Sequence, residues 1–477
     1  MQISFHDPDG AVFDLDGRIV RRVAAAAGER LTRFLSTDLA TELQAQGHLV
    51  QTRSTARPAL LPARLPTESD GMWFEHQRVA TVSYADEWVP EMLLAAAELT
   101  LELALRLRQA GWDLKDGTAS NVVFEGTRPV FVDLCSIVER SSSSPSWWPA
   151  GQFERHFVLP LIAYTRFGLA PDKLHRSHGD GLPPAELYRM AGWSRWFSPQ
   201  MLRHCTLPTL AASAASAAAV SAPSAKVKAS DGVPTSRADA NVTAQDWQLR
   251  SLVRTLRNLA QRLPKAASAW QSYVETRHHY ADLAVSAKRQ AIERWMDTHR
   301  PEVVLDLGAN TGEFSVLCAR RGARVIALER DVESARAAHG ALLREAPNGL
   351  VLVQDITQPS PAMGWRYAER RPLAQRLDGQ ADCVLCLALV HHLLVSGGIP
   401  LDEILAQVAR YSRRLAVIEF VGPQDAVFEK ISRQRGLRFD GLDFDRFLYA
   451  TQAHFRVLDQ LPVPGTTRVL LLLERRP

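Results

Sequence analysis

Cysteine is scarce: there are five in 477 residues, at irregular spacing. That makes no disulfide framework and points to a reduced, cytoplasmic setting. Cys383 and Cys386 form a Cys-x-x-Cys, but they sit inside an apolar run. On a strand, positions three apart face opposite sides, so they read as strand hydrophobes and no metal is called for. No apolar run reaches 18 residues without a charge, so no helical membrane span is predicted. The start, Met1-Gln-Ile-Ser-Phe-His-Asp7, lacks the basic and apolar parts of a signal peptide. Net charge is small, +4, which gives no clear nucleic-acid signal. The Gly-x-Gly-x-x-Gly of a nicotinamide dinucleotide site is missing as well.

What is present is size and apolar content. A chain of 477 residues, 46% of them apolar, exceeds what one core holds, so two domains and a linker are expected. From 209 to 246 the composition collapses to Ala, Ser, Pro and Val with scattered charge. Such a stretch buries too little to order itself and reads as a flexible linker. It separates an N-terminal domain, 1–208, from a C-terminal domain, 247–477.

The C-terminal domain is built around Val303-Val-Leu-Asp-Leu-Gly-Ala-Asn-Thr-Gly-Glu-Phe-Ser315. The apolar run predicts a buried parallel strand that breaks at Gly308, and Gly312 opens a helix that Gly322 stops. Glycines allow close backbone approach, and a helix start presents free N–H groups to a ligand. A second strand ends at Glu329, 21 residues after Gly308. That spacing suits a carboxylate accepting from both ribose hydroxyls of a nucleoside. A third strand ends at Asp355, and a fourth, from Asp382, delivers His391 and His392. A fifth carries Glu419, and an antiparallel pair near 454–460 and 467–474 closes a seven-strand sheet. A histidine next to the switch point could take a proton from a substrate or orient it, and two adjacent ones cannot both point there. For Glu419 the competing reading is a salt bridge.

The run Asp306-Leu-Gly-Ala-Asn-Thr-Gly312 resembles motif I of class I S-adenosylmethionine-dependent methyltransferases, and the later elements follow in that family's order. The resemblance implies a Rossmann-like seven-stranded α/β domain with S-adenosylmethionine as cofactor. Gly308, Ala309, Asn310 and Gly312 would cradle the methionine part, and Asp306 would meet its amino group. Glu329 would take the ribose and Asp355 the adenine. Trp270 and Tyr273, in the leading segment, would cap the cofactor. His391, His392 and Glu419 would face the methyl acceptor, a small molecule of unidentified structure.

In the N-terminal domain, two Asp-Gly turns predict a small β-meander, and leucines at helical spacing predict a helix from Pro90 to Ala110. Asp116, Asn121 and Asp133 then resemble the catalytic loop and metal-binding acid of protein-kinase-like folds. The His or Arg before the acid, the glycine-rich phosphate loop and the Val-Ala-x-Lys strand are missing, so an α+β, degenerate kinase-like scaffold is expected. Two other functional classes remain open at this point: a kinase-like phosphotransferase, and a protein that binds S-adenosylmethionine without catalysis.

Over nearly the whole chain, Glu75-His76, Glu87-Trp88, Arg128-Pro-Val-Phe-Val-Asp133, Phe153-x-x-His156 and Leu387-Ala-Leu-Val-His-His392 resemble a bacterial family of two-part methyltransferases described as nodulation-protein NoeA-like. The family implies methyl transfer without implying an acceptor.

Overall fold

The computed structural model describes residues 4–5, 7–59, 71–141, 143, 146–221, 235–264 and 279–477. The chain forms two compact units, Met1–Phe124 with Pro129–Pro264, and Glu125–Arg128 with Lys265–Pro477.

The first unit opens with strands β1 (Gly10–Leu15) and β2 (Arg18–Ala24), joined by Asp16 and Gly17, both at positive φ. That geometry matches the twist of a two-residue hairpin. With β3 (Thr52–Thr55) and β4 (Gly71–His76) they make an antiparallel sheet of order β1-β2-β4-β3. The helix Pro90–Gln109 starts on its proline and ends before Gly111 at positive φ. Strand β5 (Trp112–Leu114) pairs with β8 (Ile137–Glu139), and between them β6 (Val122–Glu125) pairs with β7 (Arg128–Phe131).

The boundary predicted at 246/247 is corrected. Helix Thr235–Arg262 packs on helix Pro90–Gln109 and belongs to the first unit. Its apolar stripe, Leu249, Leu252, Leu256 and Leu259, is buried, and Arg108 anchors its N-terminal half through Asp246 at 2.7 Å. The span expected as linker is helical at both ends, because helix Leu207–Ser221 precedes it and overlaps it. Residues 222–234 lie outside the described residues.

The second unit is a seven-stranded sheet. Its strands are β9 (Val303–Leu307), β10 (Arg324–Glu329), β11 (Leu350–Val353), β12 (Ala381–Cys386), β13 (Ser412–Phe420), β14 (Phe455–Pro462) and β15 (Val469–Arg475). Their order is β11-β10-β9-β12-β13-β15-β14, with β15 antiparallel to both neighbours. Successive crossovers run outward from β9 in opposite directions, so the loops after β9 and β12 part from each other. A crevice must open there. Cys383 and Cys386 lie fully buried and unbridged in β12.

Candidate functional site

The crevice at that switch point is a cleft of about 770 Å³. It is walled by the turns after β9, β10, β11 and β12, by the end of β13 and by the helix His279–His299. Of the residues singled out in sequence, Asp306, Gly308, Ala309, Asn310, Glu329, Asp355, His391, His392 and Glu419 all line it.

The turn after β9 is held from below. Gly308 and Ala309 both donate their N–H groups to the Leu328 carbonyl, at 2.9 and 3.0 Å. Gly308 has φ +72°, and a Cβ there would lie 3.2 Å from the Leu389 side chain. Asn310, also at positive φ, donates its N–H to Glu329 Oε2 at 2.8 Å. The other oxygen of Glu329 accepts from the Asp331 N–H at 2.7 Å. Each oxygen keeps lone-pair capacity for a ligand hydroxyl, so the carboxylate is oriented rather than consumed.

Asp306 is buried and accepts from the Ser315 hydroxyl at 2.6 Å. Burial raises its pKa to about 6; the bond from Ser315 opposes the shift, and the neighbouring charge of Glu329 adds to it. Gly312 does not line the cleft. At φ +83° it begins the helix Glu313–Arg320, and a Cβ there would meet Ala338 Cβ at 2.9 Å. Its glycine serves packing between two helices.

Asp355 spends one oxygen on its own turn, accepting from the Thr357 N–H at 2.9 Å and hydroxyl at 2.6 Å. Its other oxygen lies 3.7 Å from Arg330. Ala388, between β12 and helix Val390–Val395, is held at φ +47° on the cleft wall, a strained conformation for a residue with a Cβ.

The two histidines differ sharply. His391 is buried, and neither ring nitrogen has a hydrogen-bond partner among the described residues. Its ring centroid lies 4.2 Å from that of His392 and stacks on Phe428. Burial pulls its pKa down to about 3, with His392 and Arg468 acting the same way. His392 is exposed, and burial of part of its ring lowers its pKa as well, with Arg330 and Arg468 contributing.

Glu419 is fully buried, and the salt-bridge reading describes its surroundings. Lys288 Nζ lies 3.2 Å from both of its oxygens, and Arg468 lies 3.6 Å away. Arg468 also forks onto Asp425 at 2.7 and 3.2 Å. The result is a chain of two acids and two bases, of which Lys288, Glu419 and Arg468 line the cleft. Lys288 and Arg468 escaped sequence reading because nothing local pairs them; only the fold brings 288, 419 and 468 together. Trp270 and Tyr273 lie outside the described residues.

In the first unit, Asp133 is ion-paired to the buried Arg21 at 2.5 Å. Donor atoms of Asp7, Asp133 and Cys135 come within 4.8 Å of one another, but Arg21 already neutralises Asp133 there. Asp116 accepts from Gln152 at 3.4 Å, and burial raises its pKa, with Asp133 adding to the shift. Asn121 is buried, and its Nδ2 has no hydrogen-bond partner among the described residues.

Comparison with known proteins gives one full-length likeness. Nodulation protein NoeA of Rhizobium meliloti (strain 1021) is 31% identical over 474 residues, which cover 99% of this chain and 95% of that protein. No family model matches. Among solved structures, magnesium protoporphyrin IX methyltransferase from Synechocystis PCC 6803 with bound SAM aligns with TM-score 0.29 and 17% identity, over 42% of this chain and 86% of that one. N-methyltransferase NodS from Bradyrhizobium japonicum WM9 aligns with TM-score 0.31 and 11% identity, over 41% and 97%. The bifunctional kinase-methyltransferase WbdD aligns with TM-score 0.31 and 17% identity, over 46% and 45%.

Proposed function

The chain belongs to the nodulation protein NoeA family, and from that premise we propose that its second unit is a class I S-adenosylmethionine-dependent methyltransferase acting on a small-molecule acceptor. The observation that carries this reading is the bond from the Asn310 N–H to Glu329 Oε2, which joins the glycine turn to the acid ending β10. One element offers close backbone approach and the other an oriented carboxylate, at the switch point of the sheet.

The residues fit the cofactor. The cleft volume of about 770 Å³ lies inside the usual range for such sites. Gly308 leaves open the space that a Cβ would fill beside Leu389. Gly308, Ala309 and Asn310 would hold the methionine part, with Asp306 near its amino group. Glu329 would hold the ribose, and the Asp355 carboxylate facing Arg330 would hold the adenine. Bound there, the sulfonium supplies an already activated methyl electrophile. What remains for the protein is alignment and proton removal. His391, neutral and without a hydrogen-bond partner among the described residues, orients the acceptor's O–H or N–H. A group with so low a pKa is a weak base, so the exposed His392 is assigned the proton. Glu419, paired with Lys288 and Arg468, shapes and neutralises that wall. No metal is required. The first unit serves as a kinase-like scaffold, and the Arg21–Asp133 pair speaks against phosphoryl transfer there.

Calorimetric titration with S-adenosylmethionine tests the reading. Binding to the wild type that disappears in Glu329→Lys is the expected result. Absence of binding, together with clear binding of magnesium-ATP, would overturn it and move the chemistry to Asp116, Asn121 and Asp133.

A further inference from the structure

One edge of the first unit carries exposed apolar side chains that its core does not use. Helix Pro184–Met190, the turn Gly192–Phe197 and the helical stretch from Leu202 into Leu207–Ser221 pack on one another. They present Met190, Trp193, Trp196, Phe197, Leu207 and Leu210 to solvent, Trp193 at 85% and Phe197 at 83% of full exposure. Trp247, 60% exposed, joins them from the neighbouring helix, with the Arg203 guanidinium 5.7 Å from its ring. Large aromatic side chains this exposed and this close together mark an interaction surface.

Within 184–210 the exposed charges are basic. Arg189 and Arg203 are exposed, and Arg195 sits 4.2 Å over Tyr188 and 5.7 Å from Trp196. Between 184 and 210 the only acid is Glu186, and its carboxylate is taken by His178 at 2.8 Å. Arginines 5.7 Å from the Trp196 and Trp247 rings, with exposed aliphatic and phenyl side chains on the same segments, are the residue set of a membrane interface. There the rings sit at headgroup depth and the cations meet phosphates.

We propose that this edge docks the protein on an anionic lipid surface, with Trp193 and Phe197 inserting among the headgroups and Arg189 and Arg203 facing lipid phosphate, while Arg195 is held by the Gly192 carbonyl at 2.7 Å and by Tyr188. Among the described residues no helix is long and apolar enough to cross a membrane, so the attachment is peripheral. A second copy of the chain fits the edge poorly, since face-to-face pairing would set arginine against arginine. Nucleic acid fits poorly too: Met190, Leu207 and Leu210, exposed on the same packed segments, offer no stacking platform.

The test is co-sedimentation of the full chain with phosphatidylcholine vesicles and with vesicles that also contain phosphatidylglycerol. Wild type should pellet with the anionic vesicles only, and added salt should release it. Trp193→Ser combined with Phe197→Ser should lower the partition at least about tenfold. Thermal unfolding should stay unchanged, because both side chains lie outside the core. Arg189→Glu should weaken binding without touching the aromatic pair. Wild type remaining in the supernatant with both vesicle types would overturn the proposal. So would equal partition of the double variant, or a lipid-free dimer that the double variant abolishes.

Discussion

Lys288, on the helix His279–His299, places its ammonium 3.2 Å from both carboxylate oxygens of Glu419, which ends β13 with no exposed surface. A buried pair of this kind is costly to break and cheap to replace. Lys288→Met should destabilise the second unit by about 3 kcal/mol, because Glu419 then keeps only the longer contact to Arg468. Glu419→Leu added to it should recover part of that loss. Denaturant unfolding of the two single variants and the double variant closes the cycle; simple additivity would show that the pair is not coupled.

The glycines at and after the turn that follows β9 separate by the same kind of measurement. Gly322 has φ +90° with nothing within 4 Å of a built Cβ, so Gly322→Ala carries backbone strain alone, about 1–2 kcal/mol. Gly312→Ala adds overlap with Ala338, whose Cα would lie 3.0 Å from the new methyl group, and should cost roughly 3 kcal/mol or more. Gly308→Ala meets only the movable Leu389 side chain at 3.2 Å. It should be milder than Gly312→Ala in stability and more severe in methyl-donor affinity. The reverse ranking would place Gly312 at the ligand.

These residues also show how far the sequence could be read. The strand, turn and helix around Gly308 were legible because their signals are local: an apolar run, two glycines and an acid at a fixed distance. So was the closing antiparallel pair, with its long apolar run before Arg475. The partners of Glu419 were not, since Lys288 and Arg468 stand 131 and 49 positions away and gain meaning only when the sheet closes. The part of helix Thr235–Arg262 before Trp247 was not visible, because its composition reads as linker, and the amphipathic stripe after it does not say which core it covers. His391 and His392 were visible as a pair, while burial alone distinguishes them.

That distinction has a pH signature. The unfolded chain takes a proton on His391 near its ordinary value of 6.5, whereas burial keeps the folded side chain neutral down to about 3. Between those values the unfolded state binds more protons, so stability falls as pH drops from 6.5 towards 3. His339, lowered by burial to about 4, acts in the same sense within the same unit. Comparing unfolding free energies at about pH 7 and about pH 5, His391→Gln should lose less stability than wild type, and adding His339→Gln should flatten the profile further. An unchanged slope in both variants would show that neither histidine is buried neutral.

The boundary between the two units can be probed at Arg108. This side chain is buried and bonds to Asp113, to Asp246 Oδ1 at 2.7 Å and to Gln245 Oε1 at 2.8 Å. It therefore ties helix Pro90–Gln109 to helix Thr235–Arg262. Arg108→Met leaves Asp113 without its strongest partner in a buried setting and should cost the first unit about 3–5 kcal/mol. The loosened helix should become sensitive to trypsin at the exposed Arg250, Arg254 and Arg257. Asp113→Asn and Asp246→Asn, added to Arg108→Met, should restore part of the protection by removing the unpaired charge. If the helix belonged instead to the second unit, Arg108→Met would leave its protection intact, and Lys288→Met would expose it.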